Sequence, residues 1–167
     1  KISLFLLLFS ASAFGQTYYV TPEGSANHDG KSWATAWTIY KAGQALQAGD
    51  TAIVRKGAYP NGSSVFQPLN AGTPTAPITL RGEDPQDPPM ISRTSGGFAV
   101  VNVPYVVIQD IGCAASTGSC ISIKDTHHVT LRRVHAGGSY EGVTVWNADD
   151  NLIEHSVITG NSQGIYI

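Results

Sequence analysis

Two pairs of neighbouring residues, His127-His128 and Asp149-Asp150, carry side chains that can transfer protons or bind a metal ion. The pairs are 22 residues apart, and Tyr105 precedes His128 by 23. If the chain repeats at this interval, the side chains form one patch. His127 and His128 are then candidate catalytic residues, and Asp149 and Asp150 candidate ligands of calcium, the one cofactor considered. The alternative is a solvated turn in which imidazoles and carboxylates attract each other weakly.

Two adjacent arginines, Arg132 and Arg133, also have polar residues 22 or 23 positions before and after them. The residues one repeat before and after them are Gln109 and Glu154 for Arg132, and Asp110 and His155 for Arg133. Arg132 is a candidate for binding an anionic sugar, and Arg133 is a candidate catalytic residue. However, opposite charges on adjacent strands are also an ordinary means of stabilising a sheet.

Lys124 and Trp146, again 22 residues apart, form a further candidate pair for substrate binding. An indole ring can stack on a sugar ring, and a lysine can attract a sugar carboxylate. Alternatively, the alkyl part of Lys124 only covers the indole.

These spacings belong to a repeat that runs through the second half of the chain. The positions of Phe98 and Val100 recur as Ile121 and Ile123, then as Val143 and Val145, and then as Ile165 and Ile167. The second apolar set, Val106, Ile108 and Ile111, recurs as Val129, Leu131 and Val134; at the next step Ile153 follows Leu131, but Ser156 follows Val134. Self-similarity just above 20 residues is typical of a solenoid, in which each lap buries its apolar side by stacking on its neighbours.

Within each lap, apolar and polar residues alternate over short runs such as "CISIK" and "VTLRR", separated by turn-forming residues. A period of two indicates strands, and each run is too short for a helix. We therefore predict an all-β fold, a parallel β-helix with rungs of 22–23 residues and aliphatic side chains inside. Asn102, Asp125 and Asn147 occupy the same position in successive laps, an arrangement called a column below. We interpret this column as structural, with short polar side chains that hydrogen-bond the backbone of the turns.

The first part of the chain predicts an export signal, a cap and less regular laps. Residues 1–15 have a basic residue, an apolar run and small residues near Gly15, as in a cleaved secretory signal peptide. The alternative is a buried apolar strand or an uncleaved anchor. The segment "SWATAWTIYKAGQAL" places Trp37, Tyr40 and Leu46 at roughly helical spacing, which predicts a short helix covering the first rung. Short strands with turns are expected within 50–59 and 76–92.

Composition narrows the class of protein. Charged residues are 13% of the chain and the net charge is −2, which gives no electrostatic basis for binding nucleic acid. After the leader, no segment is apolar for long enough to cross a membrane, and we expect a monomer. Export would permit a disulfide between Cys113 and Cys120, although two free cysteines acting as small hydrophobes remain an alternative.

The stretches "YYVTPEGSANHDGKSWATAWTIYKAGQALQAGDTAIVRKGAY", "APITLRG" and "GIYI" resemble the N-terminal part of secreted right-handed parallel β-helix proteins. That group includes pectate-lyase-like, chondroitinase-B-like and alginate-lyase-like enzymes, carbon-5 epimerases and some glycoside hydrolases. The resemblance runs from Tyr18 to Ile167 and is specific for the fold rather than for one reaction. Members usually have more rungs and a C-terminal cap, so residues 16–167 are expected to be the N-terminal part of a single, truncated β-helix domain.

The resemblance implies a secreted, carbohydrate-active protein, first of all a lyase of uronate-containing polysaccharides. Such a lyase neutralises the sugar carboxylate, removes the proton beside it and protonates the leaving oxygen. One alternative is a glycoside hydrolase, which needs two carboxylates about 5–10 Å apart. Asp149 or Asp150 with Glu141 or Glu154 are candidates for that pair. The other alternative is a surface or adhesion solenoid that binds glycans without catalysis.

Overall fold

The computed structural model describes residues 15–59 and 66–167. Nearly all of the predicted signal peptide, residues 1–14, lies outside the described residues. Strands dominate the described part, together with one short α-helix, α1 (Ile39–Ala45). The strands are β1 (Thr17–Val20), β2 (Thr51–Val54), β3 (Ile78–Gly82), β4 (Met90–Ser95), β5 (Phe98–Val101), β6 (Val106–Gln109), β7 (Gly112–Thr117), β8 (Ser119–His127), β9 (Thr130–Arg132), β10 (His135–Gly137), β11 (Glu141–Asp149), β12 (Leu152–Glu154), β13 (Val157–Thr159) and β14 (Gln163–Tyr166).

The strands form three parallel sheets that the chain visits in turn. The first sheet has the order β1-β2-β3-β6-β9-β12, the second β13-β10-β7-β4, and the third β14-β11-β8-β5. From β5 onward, each lap contributes one strand to the third sheet, one to the first and one to the second. This confirms the predicted parallel β-helix. Its right-handed sense is the one that parallel crossovers almost always take.

The register of the sheets follows the repeat of the sequence. Ile121 pairs with Phe98 on one side and with Val143 on the other, and Val143 pairs in turn with Ile165. In the first sheet, Leu131 lies between Ile108 and Ile153. Ile108, Ile121, Leu131 and Val143 are fully buried, so the predicted inner columns form the core over these laps. Ile165 and Ile167, which were also predicted to point inward, are 47% and 89% exposed, because β14 is the edge strand of the third sheet.

The chain turns its corners with residues in the left-handed backbone region. Nine non-glycine residues of the described chain have φ between 46° and 58°. They fall into three columns of equivalent positions: Asn102, Asp125 and Asn147; Tyr105, His128 and Asp150; and Asp110, Arg133 and His155. Asn and Asp tolerate this conformation better than other L-residues. The columns recognised in the sequence are therefore corners of the coil.

Polar side chains of the last lap bind backbone amides of the lap before it. The amide of Val129 donates to Asn151 Oδ1 at 2.9 Å, and the amide of Val134 donates to Ser156 Oγ at 3.2 Å. In the same way, the amide of Ser139 donates to Asn161 Oδ1 at 2.9 Å. Buried amides need such partners. Ser156 stands where the preceding lap has the apolar Val134, and its side chain accepts a hydrogen bond instead of packing in the core.

Helix α1 covers the first rungs as predicted, but it uses a different face. Its buried residues are Ile39, Ala42 and Gly43, and Leu46 is buried immediately after its end. The predicted face was wrong at two positions. Trp37 is buried but precedes the helix, where its ring stacks on Tyr18 at 4.1 Å, and Tyr40 is 45% exposed. The helix begins only after Thr38, whose side chain accepts the amide of Lys41, and this start rotates Tyr40 outward.

The corner between the second and third sheets carries a covalent bond. Cys113 on β7 and Cys120 on β8 form a disulfide, and both residues are buried. Within residues 15–59 and 66–167, no helix is both long and apolar enough to cross a membrane.

Candidate functional site

The corner between the third and first sheets brings the predicted histidines together. His127 ends β8, and His128 follows it in the left-handed conformation. Their Nδ1 atoms are 2.8 Å apart, and the ring of Tyr105 lies 4.8 Å from that of His128. Asp149 is in register with His127 on the next strand. The patch predicted from the 22-residue spacing is thus one continuous, largely exposed surface.

The short contact between the two imidazoles is a hydrogen bond between their Nδ1 atoms. One Nδ1 must donate its hydrogen to the other, because two bare or two protonated nitrogens would repel at this distance. When both rings are neutral, the accepting ring carries its hydrogen on Nε2 and the donating ring has a bare Nε2. The pair therefore offers a proton acceptor and a proton donor at neighbouring positions, which suits acid–base chemistry.

A groove of about 270 Å³ borders this corner. Its floor includes Val107 and Thr130, which lie on the outer face of the first sheet. The residues lining it are Thr73, Pro74, Pro77, Tyr105, Val107, His128, Thr130 and Asp150. The wall formed by residues 73–77 was not predicted, since this segment precedes the repeat and has no equivalent in later laps.

Asp149 and Asp150 are exposed carboxylates, the kind of ligand that Ca²⁺ prefers. However, among the described residues no group of three or more His, Cys, Asp or Glu side chains is placed to hold a metal ion. The residues present therefore supply only part of a calcium site. Calcium at Asp149 and Asp150 stays a prediction.

Lys124 and Trp146 are direct neighbours on the outer face of the third sheet. They pair in register on β8 and β11, and Trp146 is 53% exposed. Tyr166, on β14, pairs with Thr144 on the same face and is 41% exposed. The same two strands lead from Lys124 and Trp146 to His127 and Asp149, three residues or about 10 Å further on. The predicted substrate-binding pair and the histidine corner therefore lie next to each other along the same two strands, on either side of the bend at Asp125 and Asn147.

Arg132 and Arg133 lie at the other end of β9, away from the histidine corner, and both are held in ion pairs. Arg133 binds Asp110 through two hydrogen bonds, 2.6 Å from Nε to Oδ1 and 2.9 Å from Nη2 to Oδ2. These hydrogen bonds raise the pKa of Arg133, so its guanidinium stays protonated and is unsuited to act as a base. Arg132 Nε lies 2.5 Å from Glu154 Oε1. This geometry favours structural roles for both arginines.

Glu141 lies on the outer face of the third sheet because the alternation of strand β11 is broken next to it. Gly142 and Val143 are both buried, so Glu141 and Thr144 both point outward. A Cβ at Gly142 would lie 2.4 Å from Ile158 Cγ2, and only glycine fits there. Ser119 Oγ and Thr144 Oγ1 each donate to Glu141 Oε2 at 2.6 Å. These two hydrogen bonds lower the pKa of Glu141 below its ordinary value of 4.5.

One of the carboxylate pairs considered for a hydrolase, Glu141 with Asp149, is too widely separated. Glu141 and Asp149 are the two ends of β11. The five steps from Glu141 to Trp146 alone span about 16 Å of extended chain, more than the roughly 5–10 Å that such a pair needs. Glu154 is engaged with Arg132.

Comparisons with known proteins agree on the architecture. No protein-family model matches the chain. A curated relative from Bacillus subtilis (strain 168), the uncharacterized protein YwoF, is 26% identical over 154 residues. That match covers 90% of this chain but 32% of the relative, so the chain spans about a third of the relative's length.

The similar solved structures are carbohydrate-active enzymes. An alginate lyase from Paenibacillus sp. str. FPU-7 has a TM-score of 0.64 at 22% identity, covering 84% of this chain and 44% of the enzyme. A GH136 lacto-N-biosidase from Eubacterium ramulus has a TM-score of 0.58 at 14% identity, covering 81% and 34%. The pectate lyase Pel9A has a TM-score of 0.55 at 16% identity, covering 89% and 55%. At these identities the likeness establishes the β-helix fold.

Proposed function

We propose that this chain belongs to an exported β-helix protein that binds an acidic polysaccharide on the outer face of its third sheet and cleaves it as a lyase. The observation that carries the proposal is that Lys124 lies beside Trp146 and three residues before the His127-His128 corner, on the adjacent strands β8 and β11. Lyases of alginate and pectate are among the proteins with the same fold, which supports an acidic substrate. The disulfide between Cys113 and Cys120 supports export.

Each of these side chains has a distinct task in the proposed reaction. The Trp146 ring stacks on a sugar ring, and the Lys124 ammonium neutralises the carboxylate of a uronate. The bare imidazole nitrogen of the histidine pair takes the proton from the carbon beside that carboxylate. The electron pair released forms a carbon–carbon double bond, and the bond to the glycosidic oxygen breaks. The leaving oxygen receives its proton from the second imidazole or from solvent.

The proposal is tested by incubating the full-length protein with pectate, alginate and chondroitin. A lyase produces an unsaturated uronate, which is followed by its ultraviolet absorbance. The double variant His127→Gln/His128→Gln should lose at least 100-fold in rate, in line with the loss of a general acid–base group. His155→Gln, an exposed histidine at another corner, is the matched control and should keep the wild-type rate. Full activity of the double variant would refute the assignment of the histidines.

A glycoside hydrolase is the second candidate, and the fold shared with the lacto-N-biosidase favours it. New reducing ends without ultraviolet absorbance would identify hydrolysis and would overturn the lyase assignment. Binding of a glycan without either product would instead identify an adhesion or binding solenoid.

A further inference from the structure

The carboxylate of Glu141 is fixed in position but only half used by the protein. Both hydroxyl donors, Ser119 Oγ and Thr144 Oγ1, bind the same oxygen, Oε2. The other oxygen, Oε1, is left to accept a hydrogen bond from a ligand. Since Glu141 is only partly buried at the outer surface of the third sheet, a ligand hydroxyl group can reach this oxygen.

The neighbours of Glu141 on the next rung are suited to bind a sugar. Gln163 is in register with Glu141, and Tyr166 is in register with Thr144. Gln163 is exposed and can both donate to and accept from hydroxyl groups. Tyr166 offers the face of an aromatic ring and is 41% exposed. An acceptor, an amide and an aromatic ring within two adjacent strands match the hydroxyl groups and the apolar face of a pyranose.

The charge of Glu141 determines which sugar can lie here. An ionised carboxylate attracts hydroxyl donors and repels the carboxylate of a uronate. Lys124, which lies beside Trp146 on the adjacent strand β8, has the opposite preference because its ammonium attracts a uronate carboxylate. The two ends of this face therefore select different sugars.

We propose that Glu141, Gln163 and Tyr166 form a subsite for a neutral sugar, recognised through its hydroxyl groups. The subsite deepens the proposed function and rests on it, since it implies a polymer in which neutral sugars accompany the acidic ones. A homopolymer of uronates would place a like charge against Glu141 and would be the poorer ligand.

Binding of short oligosaccharides to the full chain, measured by calorimetry, tests the subsite. The probes are neutral hexasaccharides of glucose, mannose, xylose and galactose, with hexagalacturonate as the acidic probe. We expect at least one neutral probe to bind. Glu141→Gln should weaken that binding about tenfold, as expected for the loss of a charge-assisted hydrogen bond. The same variant should bind hexagalacturonate as well as the wild type or more tightly, because the repulsion is removed.

The dependence on pH links the binding of the neutral probe to the charge of Glu141. Because the pKa of Glu141 is lowered from 4.5, the wild type should keep its affinity for the neutral probe below pH 4.5. It should lose that affinity only as the pH falls through the depressed pKa. Glu141→Gln should lack this transition.

Several outcomes would overturn the subsite. They are the failure of every neutral probe to bind, an unchanged affinity of Glu141→Gln for the neutral probe, and an equal loss for the neutral and acidic probes. Circular dichroism of the variant checks that it is folded. Failure of the proposed function has a different signature, because Lys124→Gln and Trp146→Ala would then leave the binding of hexagalacturonate unchanged whatever the neutral probes do.

Discussion

The substitution Ile108→Ala on β6 tests the stacking of the laps. Ile108 lies between Leu80 and Leu131, its partners on the two adjacent strands, and all three are fully buried. The side chain therefore has aliphatic neighbours both above and below it. The adjacent residue Val107 points to the outer face and lines the groove.

The expected loss follows from the carbon atoms removed and the space they leave. Ile108→Ala removes three buried carbons, each worth about 0.8 kcal/mol of transfer free energy. The resulting cavity, between two packed laps that cannot close on it, adds roughly 1–2 kcal/mol. The sum is about 3–4 kcal/mol. Val107→Ala removes two carbons from a partly exposed position and should cost less than about 1 kcal/mol.

Urea denaturation of the two variants, followed by far-ultraviolet circular dichroism, measures both losses. Each free energy of unfolding is compared with that of the wild type at the same temperature and pH. An equal effect of Ile108→Ala and Val107→Ala would refute the assignment of inner and outer faces, since the argument depends on their difference.

Three further substitutions probe the corners. Asp110→Asn removes the charge that binds Arg133, so the urea midpoint should fall, whereas an unchanged midpoint would show that this pair contributes nothing. Replacing both Cys113 and Cys120 with alanine opens a short loop and should cost about 2–3 kcal/mol; a smaller loss on thermal unfolding would mean that the corner is already ordered without the bond. Asn161→Ala removes the acceptor of a backbone amide and should cost about 1–2 kcal/mol, measured by urea denaturation; no loss would indicate that water replaces the side chain.

The repeating part of the fold could be predicted because one rule, the 22–23-residue spacing, places every strand. Leu131 had to lie between Ile108 and Ile153 once the laps were aligned. The cap was harder to predict. Trp37 and Tyr40 fit a helical period, but the position of the helix start decides which of them is buried, and that depends on the cap at Thr38.

The candidate site was predictable where it follows the repeat and missed where it departs from it. The neighbours Lys124 and Trp146, and His127 and Asp149, follow from equal spacing. Strict alternation from Val143 would turn Glu141 inward. Because Gly142 and Val143 are both buried, the alternation shifts by one residue and Glu141 points outward instead. Gly142 is buried because it packs against Ile158 on β13, a contact that the repeat does not predict.

The groove wall at residues 73–77 was missed because it belongs to no repeated element. It reaches the corner through a tertiary contact rather than through spacing in the sequence. Backbone hydrogen bonds hold it there: the amide of Gly72 donates to the carbonyl of Pro104, and the amide of Ile78 donates to that of Tyr105.

The central claim, that the outer face of the third sheet binds an acidic glycan, is tested most directly by the affinity of Trp146→Ala for hexagalacturonate and hexa-alginate. Tyr40→Ala, which removes an exposed aromatic ring from the cap, is the matched control. We predict that Trp146→Ala weakens binding of at least one of these probes about tenfold or more, as the loss of a stacked ring implies, while Tyr40→Ala binds like the wild type. Equal affinities of wild type and Trp146→Ala for both probes would contradict the claim.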